Sequence, residues 1–260
     1  MAKIHPLAAV DPKARLGENV EIGPFCNVTG DVTIGDNTRL ISNVTVMDGA
    51  RIGSGCLIFP GAVIGAIPQD LKFHGEETTA VVGNNCVIRE CVTINRGTAS
   101  KGTTVVGDSC LIMAYCHVAH DCRLSDHVIM SNATQLAGEV EVGECAVIGG
   151  GSLIHQFCRI GAYTMIQGGA LINKDIPPFV KAAREPISFA GLNIVGLRRR
   201  GFDADQMREI QDIYHILFQS SLNTTDAVRR IVETMPETPV RNRIVDFVKS
   251  SERGILKGYS

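Results

Sequence analysis

The chain has no tryptophan, and only 4 tyrosines and 9 phenylalanines among 260 residues, so aliphatic side chains must fill most of its core. It lacks any apolar run near the roughly 18 residues that a membrane helix needs. Its first residues, Met1 to Pro12, lack the apolar stretch of about 7–15 residues and the cleavage site of a secretory signal. It lacks an excess of either charge: the net charge is −2, and a general nucleic-acid binder needs a dominant basic field. With 45% hydrophobic and 20% charged residues it is too apolar to be disordered. A cytoplasmic protein with nine reduced thiols is expected.

What is present is a repeat. Counting in sixes from Ile4 gives Val10, Leu16, Ile22, Val28, Ile34, Leu40, Val46, Ile52, Ile58 and Ile64. The count resumes at Val82, Ile88 and Ile94, then runs unbroken from Val106 through Ile112, Val118 and Leu124 to Ile172. Two residues earlier lies a second series of small or β-branched residues, such as Ala14, Val20, Cys26, Val32 and Thr38. Glycine often follows the aliphatic residue, as at Gly17, Gly23 and Gly35, where the chain turns a corner. Alternation within each hexad means short strands with every second side chain inward. Strands so short cannot bury themselves alone, so successive hexads must stack as a prism.

The pattern resembles the hexapeptide-repeat left-handed parallel β-helix; its handedness is implied by the resemblance. Three hexads per coil give about nine coils with rungs about 4.8 Å apart. Two stretches break the count, Ala66–Val81 and Arg96–Val105, and loops on a monotonous prism are where function concentrates. The expected division is a β-helix over 1–176, then a linker and a C-terminal helical domain over 177–260. After a linker through Leu197, Asp203 and Gln206 read as a capping box ahead of an apolar stripe. Thr224 or Thr225 opens a second helix and Pro239 a third. This helical part would cover the open edge of the last coil.

Cys116-His117-Val118-Ala119-His120-Asp121-Cys122 has the residue types of a zinc site. Phase argues for filler instead: Cys26, Cys56, Cys86, Cys110, Cys116, Cys122 and Cys158 all occupy the small inward position. His117 and His120 should face outward, and a histidine beside Asp121 suits a general base near neutral pH. Stacking by coils brings Gln135 beside His117, Gly138 beside His120 and Glu139 beside Asp121, with Gln156 about 10 Å from His120. His155 adjoins Gln156. This ridge reads either as a binding groove or as a solvated corner. The Arg198-Arg199-Arg200 run suits phosphate or an acidic partner, and equally a solvated helix end.

Five motifs together resemble a specific family. They are Gln69-Asp70-Leu71-Lys72-Phe73; Arg89-Glu90-Cys91-Val92-Thr93-Ile94-Asn95-Arg96-Gly97-Thr98; His117-Val118-Ala119-His120-Asp121-Cys122; Ile154-His155-Gln156-Phe157-Cys158; and the run from Gly191-Leu192-Asn193 to Gly201-Phe202. In this order they are similar to the acyltransferases that move an acyl chain from acyl carrier protein to UDP-N-acetylglucosamine at the start of lipid A synthesis. The resemblance implies a homotrimer with active sites between subunits. It implies transfer of an (R)-3-hydroxyacyl group to the glucosamine 3-hydroxyl, with no cofactor, no metal and no covalent acyl-enzyme. By position, His120 would be the general base, Asp121 its orienting carboxylate and the Gly138 N–H the oxyanion donor. Asp70, Lys72, His117, His155 and Gln156 match sugar- or nucleotide-contacting positions, and Asn193 and Arg199 those for uridine and phosphate. Gly168 matches an acyl-chain ruler, and glycine there leaves room for about 14 carbons or more.

Three residues depart from the family pattern. Glu139 and Asn95 stand where histidine is frequent, and Val195 where glutamate is common. They bear on whether the acceptor carries a 3-hydroxyl or a 3-amino group. Rival readings from other classes are a metal-dependent carbonic-anhydrase-like β-helix enzyme and a noncatalytic hexapeptide scaffold.

Overall fold

The structure, a computed structural model, describes residues 1–258. Twenty-six short strands run from β1 (Lys3–Ile4) to β26 (Leu171–Ile172), each centred on one aliphatic hexad position. Every third strand joins the same parallel sheet, so three sheets form the faces of a prism. Sheet A contains β1, sheet B begins at β2 (Ala9–Val10) and sheet C at β3 (Arg15–Leu16). Register is in phase from coil to coil: Ile58 pairs with Ile88, Ile88 with Ile112 and Ile112 with Met130. All four side chains are fully buried. Burial of each such side chain is worth about 1.5–3 kcal/mol, repeated up the axis.

The small inward residues have a second task. Several of those that carry a donor reach a corner carbonyl of the following coil: Thr38 Oγ1 donates to the Gly53 carbonyl at 2.8 Å. Cys86 Sγ donates to the Gly107 carbonyl at 3.0 Å and Ser152 Oγ to that of Gln167 at 3.2 Å. Cysteine, serine and threonine thus interchange here because each is small and carries a donor. The glycine after the aliphatic residue is required by space: a Cβ on Gly23 would lie 1.7 Å from the Ile41 carbonyl oxygen.

Both insertions leave the same corner, between sheets B and C. One joins β11 (Val63–Ala66) to β12 (Thr79–Val82), the other β14 (Thr93–Asn95) to β15 (Thr103–Val106). Both are shorter than the broken phase suggests. The Thr79–Thr103 pairing extends the ladder upstream of Val82 and Val106.

The expected linker through Leu197 is instead ordered structure. β27 (Val180–Ala183) pairs parallel with β25 (Met165–Ile166), taking the place of the next coil's strand. β28 (Ser188–Leu192) then returns antiparallel beside it, and the short helix α1 (Ile194–Arg199) follows. The helices α2 (Ala204–Gln219), α3 (Thr224–Thr234) and α4 (Pro239–Lys249) come next. The Asp203–Gln206 capping box is present, and Pro239 is the first residue of α4. Ile210, Ile213, Tyr214 and Leu217 form the buried stripe of α2, and the Tyr214 hydroxyl donates to the Pro178 carbonyl at 2.6 Å. Among the described residues, no helix is long and apolar enough to cross a membrane.

Candidate functional site

The turn from β17 (His117–Val118) in sheet B to β18 (Arg123–Leu124) in sheet C carries His120 and Asp121. Asp121 has φ +61°, a conformation that a short polar side chain tolerates. This backbone turns its carboxylate back beneath the preceding insertion. The carboxylate is fully buried and surrounded by donors: the Thr98 N–H at 3.0 Å, the Thr98 hydroxyl at 2.6 Å and the Lys101 N–H at 3.3 Å. His120 Nδ1 donates to Asp121 Oδ2 at 2.8 Å. That bond assigns the proton to Nδ1 and leaves the Nε2 lone pair free to accept another. The His120 side chain is 18% exposed, so a substrate can reach it while bulk water is largely held off.

One coil further, Gly138 lies under the imidazole. A Cβ there would sit 2.5 Å from both Cε1 and Nε2 of His120, so only a residue without a side chain lets the ring rest in this place. The Gly138 N–H has no hydrogen-bond partner among the described residues. His117 stacks on Gln135 in register, and its Nδ1 is 2.7 Å from the Thr93 hydroxyl. Burial, with the nearby His120 adding to it, holds the His117 imidazole below the ordinary histidine range. His155 and Gln156 are exposed on the next coil of the corner, with His155 Nδ1 3.1 Å from the Gln156 carbonyl oxygen.

Asp70 and Lys72 stand on the first insertion, at the same B–C corner, where the Lys72 N–H donates to Asp70 Oδ1 at 2.9 Å. Leu71 between them is fully exposed. Asn193 and Arg199 are elsewhere. Asn193 caps α1 and donates to the Tyr163 carbonyl at 2.9 Å, at the corner between sheets C and A. Arg199 is exposed at the end of α1. Gly168 occupies the third corner, between β25 and β26, and is exposed. One chain therefore gathers His117, His120, Asp121, Gly138, His155 and Gln156 at one corner, with Asp70 and Lys72 on an insertion from that corner, and places Asn193, Arg199 and Gly168 on its other edges. Between two of those edges, the outer face of sheet A carries Leu57, Val87, Leu111, Ile129, Val147 and Met165 in register.

The seven cysteines in the inward phase are buried, while Cys91 is exposed. Two of the three departures are structural. Asn95 is buried and donates to the Ile67 carbonyl at 2.9 Å, clamping the root of the first insertion. Glu139 accepts from the Ser100 hydroxyl at 3.1 Å. Val195 is exposed on α1. Thr98, Lys101 and Thr104 had no role in the sequence reading. The Thr104 hydroxyl accepts from the Asp121 N–H at 2.8 Å, so Thr98 and Lys101 hold the carboxylate of Asp121 while Thr104 holds its backbone. The signal was indirect: a broken hexad phase just before a His-Asp pair.

Comparison with known proteins agrees in fold and length. The family model described as UDP-N-acetylglucosamine O-acyltransferase, domain 2, matches residues 175–256, and that of the bacterial transferase hexapeptide matches 31–66. An acyl-(acyl-carrier-protein)–UDP-N-acetylglucosamine O-acyltransferase of Alkalilimnicola ehrlichii is 49% identical, covering 99% of this chain and 100% of the relative. The enzyme of the same name from Halorhodospira halophila is 43% identical with the same coverage. The crystal structure of a UDP-N-acetylglucosamine acyltransferase from Bacteroides fragilis superimposes with a TM-score of 0.96 at 52% identity, covering 98% of this chain and 100% of that one.

Proposed function

Since the chain belongs to the acyl-(acyl-carrier-protein)–UDP-N-acetylglucosamine O-acyltransferase family, whose fold is the left-handed parallel β-helix, we propose that His120 is the general base of its transfer reaction. The chain is an O-acyltransferase of lipid A synthesis that uses acyl carrier protein and UDP-N-acetylglucosamine. Family membership removes the noncatalytic scaffold as a reading. The observation that carries the assignment is the His120–Asp121 bond of 2.8 Å with Nε2 lying over Gly138.

In the reaction, Nε2 of His120 takes the proton of the glucosamine 3-hydroxyl as that oxygen attacks the thioester carbonyl of an (R)-3-hydroxyacyl carrier protein. Asp121 holds the tautomer and steadies the imidazolium; such proton transfer contributes about 100- to 10,000-fold. The carbonyl oxygen gains charge beside the Gly138 N–H, whose hydrogen is free to stabilise it, an effect worth about 100- to 1000-fold. Collapse breaks the C–S bond, and the imidazolium returns its proton to the departing thiolate. Asp70, Lys72, His117, His155 and Gln156 hold the sugar nucleotide, and Gly168 bounds the acyl chain.

The site is completed in a homotrimer. The spread of Asn193, Arg199 and Gly168 over separate edges supports this, since a neighbour's edge can bring them to the His120 corner. The apolar stripe on sheet A supports it too, because an uncovered stripe of that length is an association surface. The unpaired thiols support a cytoplasmic location. The deciding experiment measures transfer from 3-hydroxyacyl carrier protein to UDP-N-acetylglucosamine with wild type and His120→Ala. The variant should fold and assemble yet lose at least about 100-fold in kcat; near-normal turnover would refute the assignment of the base.

A further inference from the structure

The buried carboxylate of Asp121 depends on the 96–102 insertion for three of its four donors. The inner limb of that insertion is buried at Gly97 and Thr98, but Ala99, Ser100 and Lys101 are exposed. An exposed limb must be tied down from outside if Thr98 and Lys101 are to keep their aim. The ties come from the coil after His120. Glu139 Oε1 accepts from Ser100 Oγ at 3.1 Å, and Oε2 lies 3.8 Å from Lys101 Nζ. Glu141 adds a second carboxylate 3.4 Å from Lys101 Nζ. The Glu139 side chain is 19% exposed, so its ion pair is better shielded than a fully solvated one.

We propose that Glu139 is a positioning residue: it latches the 96–102 insertion over Asp121 and so holds the His120–Asp121 pair in its working geometry. This rests on the reading of His120 as base. It also explains the departure from histidine at this position. The carboxylate points at Ser100 and Lys101, and its charge is balanced there rather than offered to the acceptor sugar. Glu139 belongs to the same turn as Gly138, and its own N–H donates to the His120 carbonyl at 3.0 Å, so the latch and the pair share one rigid corner.

The test is a double-mutant cycle with a structural readout beside it. Glu139→Ala should lower kcat about threefold to tenfold and leave KM for UDP-N-acetylglucosamine within about twofold, the scale of one hydrogen bond and one partly shielded ion pair. Glu139→Gln, which still accepts from Ser100, should recover most of that loss. In an Asp121→Asn background, Glu139→Ala should cost nothing further, because its effect runs through the missing carboxylate. Amide hydrogen exchange at Thr98 and Lys101 should quicken in Glu139→Ala. An equal loss in the Asp121→Asn background, or a change confined to KM for the sugar nucleotide, would overturn the proposal, as would unchanged exchange. Normal activity of His120→Ala would instead strike the base assignment, and the exchange measurement would still judge the latch.

Discussion

The imidazole of His120 rests against the backbone of Gly138, with room for nothing larger than a hydrogen between them. A conformational reason for this glycine is absent, since positive φ falls on its neighbour Glu139 and not on Gly138. The contact joins consecutive coils, so the spacing of the proposed base and the proposed oxyanion donor is set by the rise of the prism. Gly138→Ala should therefore fold with little loss of stability, since the ring can swing away. Its kcat should drop at least about 100-fold, as base and donor are both displaced. Thermal unfolding and steady-state kinetics check the two halves; an active Gly138→Ala enzyme would contradict the arrangement.

The His117 imidazole, held down by burial and then by His120, binds its proton less readily folded than unfolded. Below the ordinary value of 6.5 the unfolded chain takes up the proton first, so this residue's share of stability is lost as pH falls. Stability from His117 should rise with pH up to that value and flatten above it. Titration by NMR should put its midpoint below 6.5, and His120→Asn should raise it by removing the neighbouring charge. A midpoint at or above the ordinary value would contradict the burial.

Thiol chemistry distinguishes filler from surface. Burial pushes Cys116 and Cys158 up to about 11 and Cys122 to about 12, whereas Cys91 is exposed. A maleimide at neutral pH should label Cys91 first and leave the inward thiols until unfolding. Mass spectrometry of the labelled peptides decides it, and early labelling of Cys116 or Cys122 would contradict the inward placement.

Gly168 is exposed, and the first atom an added Cβ meets is the Gly150 carbonyl oxygen, 3.1 Å away. If this position bounds the acyl chain, the wild type should prefer donors of about 14 carbons or more, and Gly168→Met should move the optimum toward shorter chains. A wild-type preference for the 10-carbon donor over those of 14 and 16 would end the ruler assignment.

The stripe on sheet A gives a test of assembly. Ile129 pairs with Leu111 on one side and Val147 on the other, at the middle of that face. Ile129→Glu should leave the inward core untouched and break up the oligomer, with activity lost in parallel. Sedimentation of the variant reads the first outcome; a wild-type monomer with full activity would contradict the shared site.

Hexad phase made the prism and its inward residues legible, because in a coil of short strands position alone decides which way a side chain faces. Ile58, Ile88, Cys116 and Val118 are where counting puts them. The β27–β28 hairpin was hidden because it follows no hexad: Val180–Ala183 is a strand by virtue of the open edge beside β25, a tertiary cause. Thr98 and Lys101 were hidden for a related reason. An insertion has no phase, so nothing in its order of residues says which of its amides returns to the next coil. His120 and Asp121 were legible because they stand on the coil itself. Asn193, Arg199 and Gly168 lie on other edges, which no counting along one chain can relate to the His120 corner.

The hairpin has one more consequence. Parallel coils in register repeat the geometry of cross-β fibrils, and each free rung is a template for the next. β28 runs against that direction and turns sheet A's last rung into one that a further parallel coil cannot copy. The backbone bonds of Phe189 and Leu256 to the neighbouring segments seal the same end. Removing residues from 184 onward would uncover a self-propagating surface, so the terminal hairpin works as a stop signal against fibre growth as well as a platform for the helices.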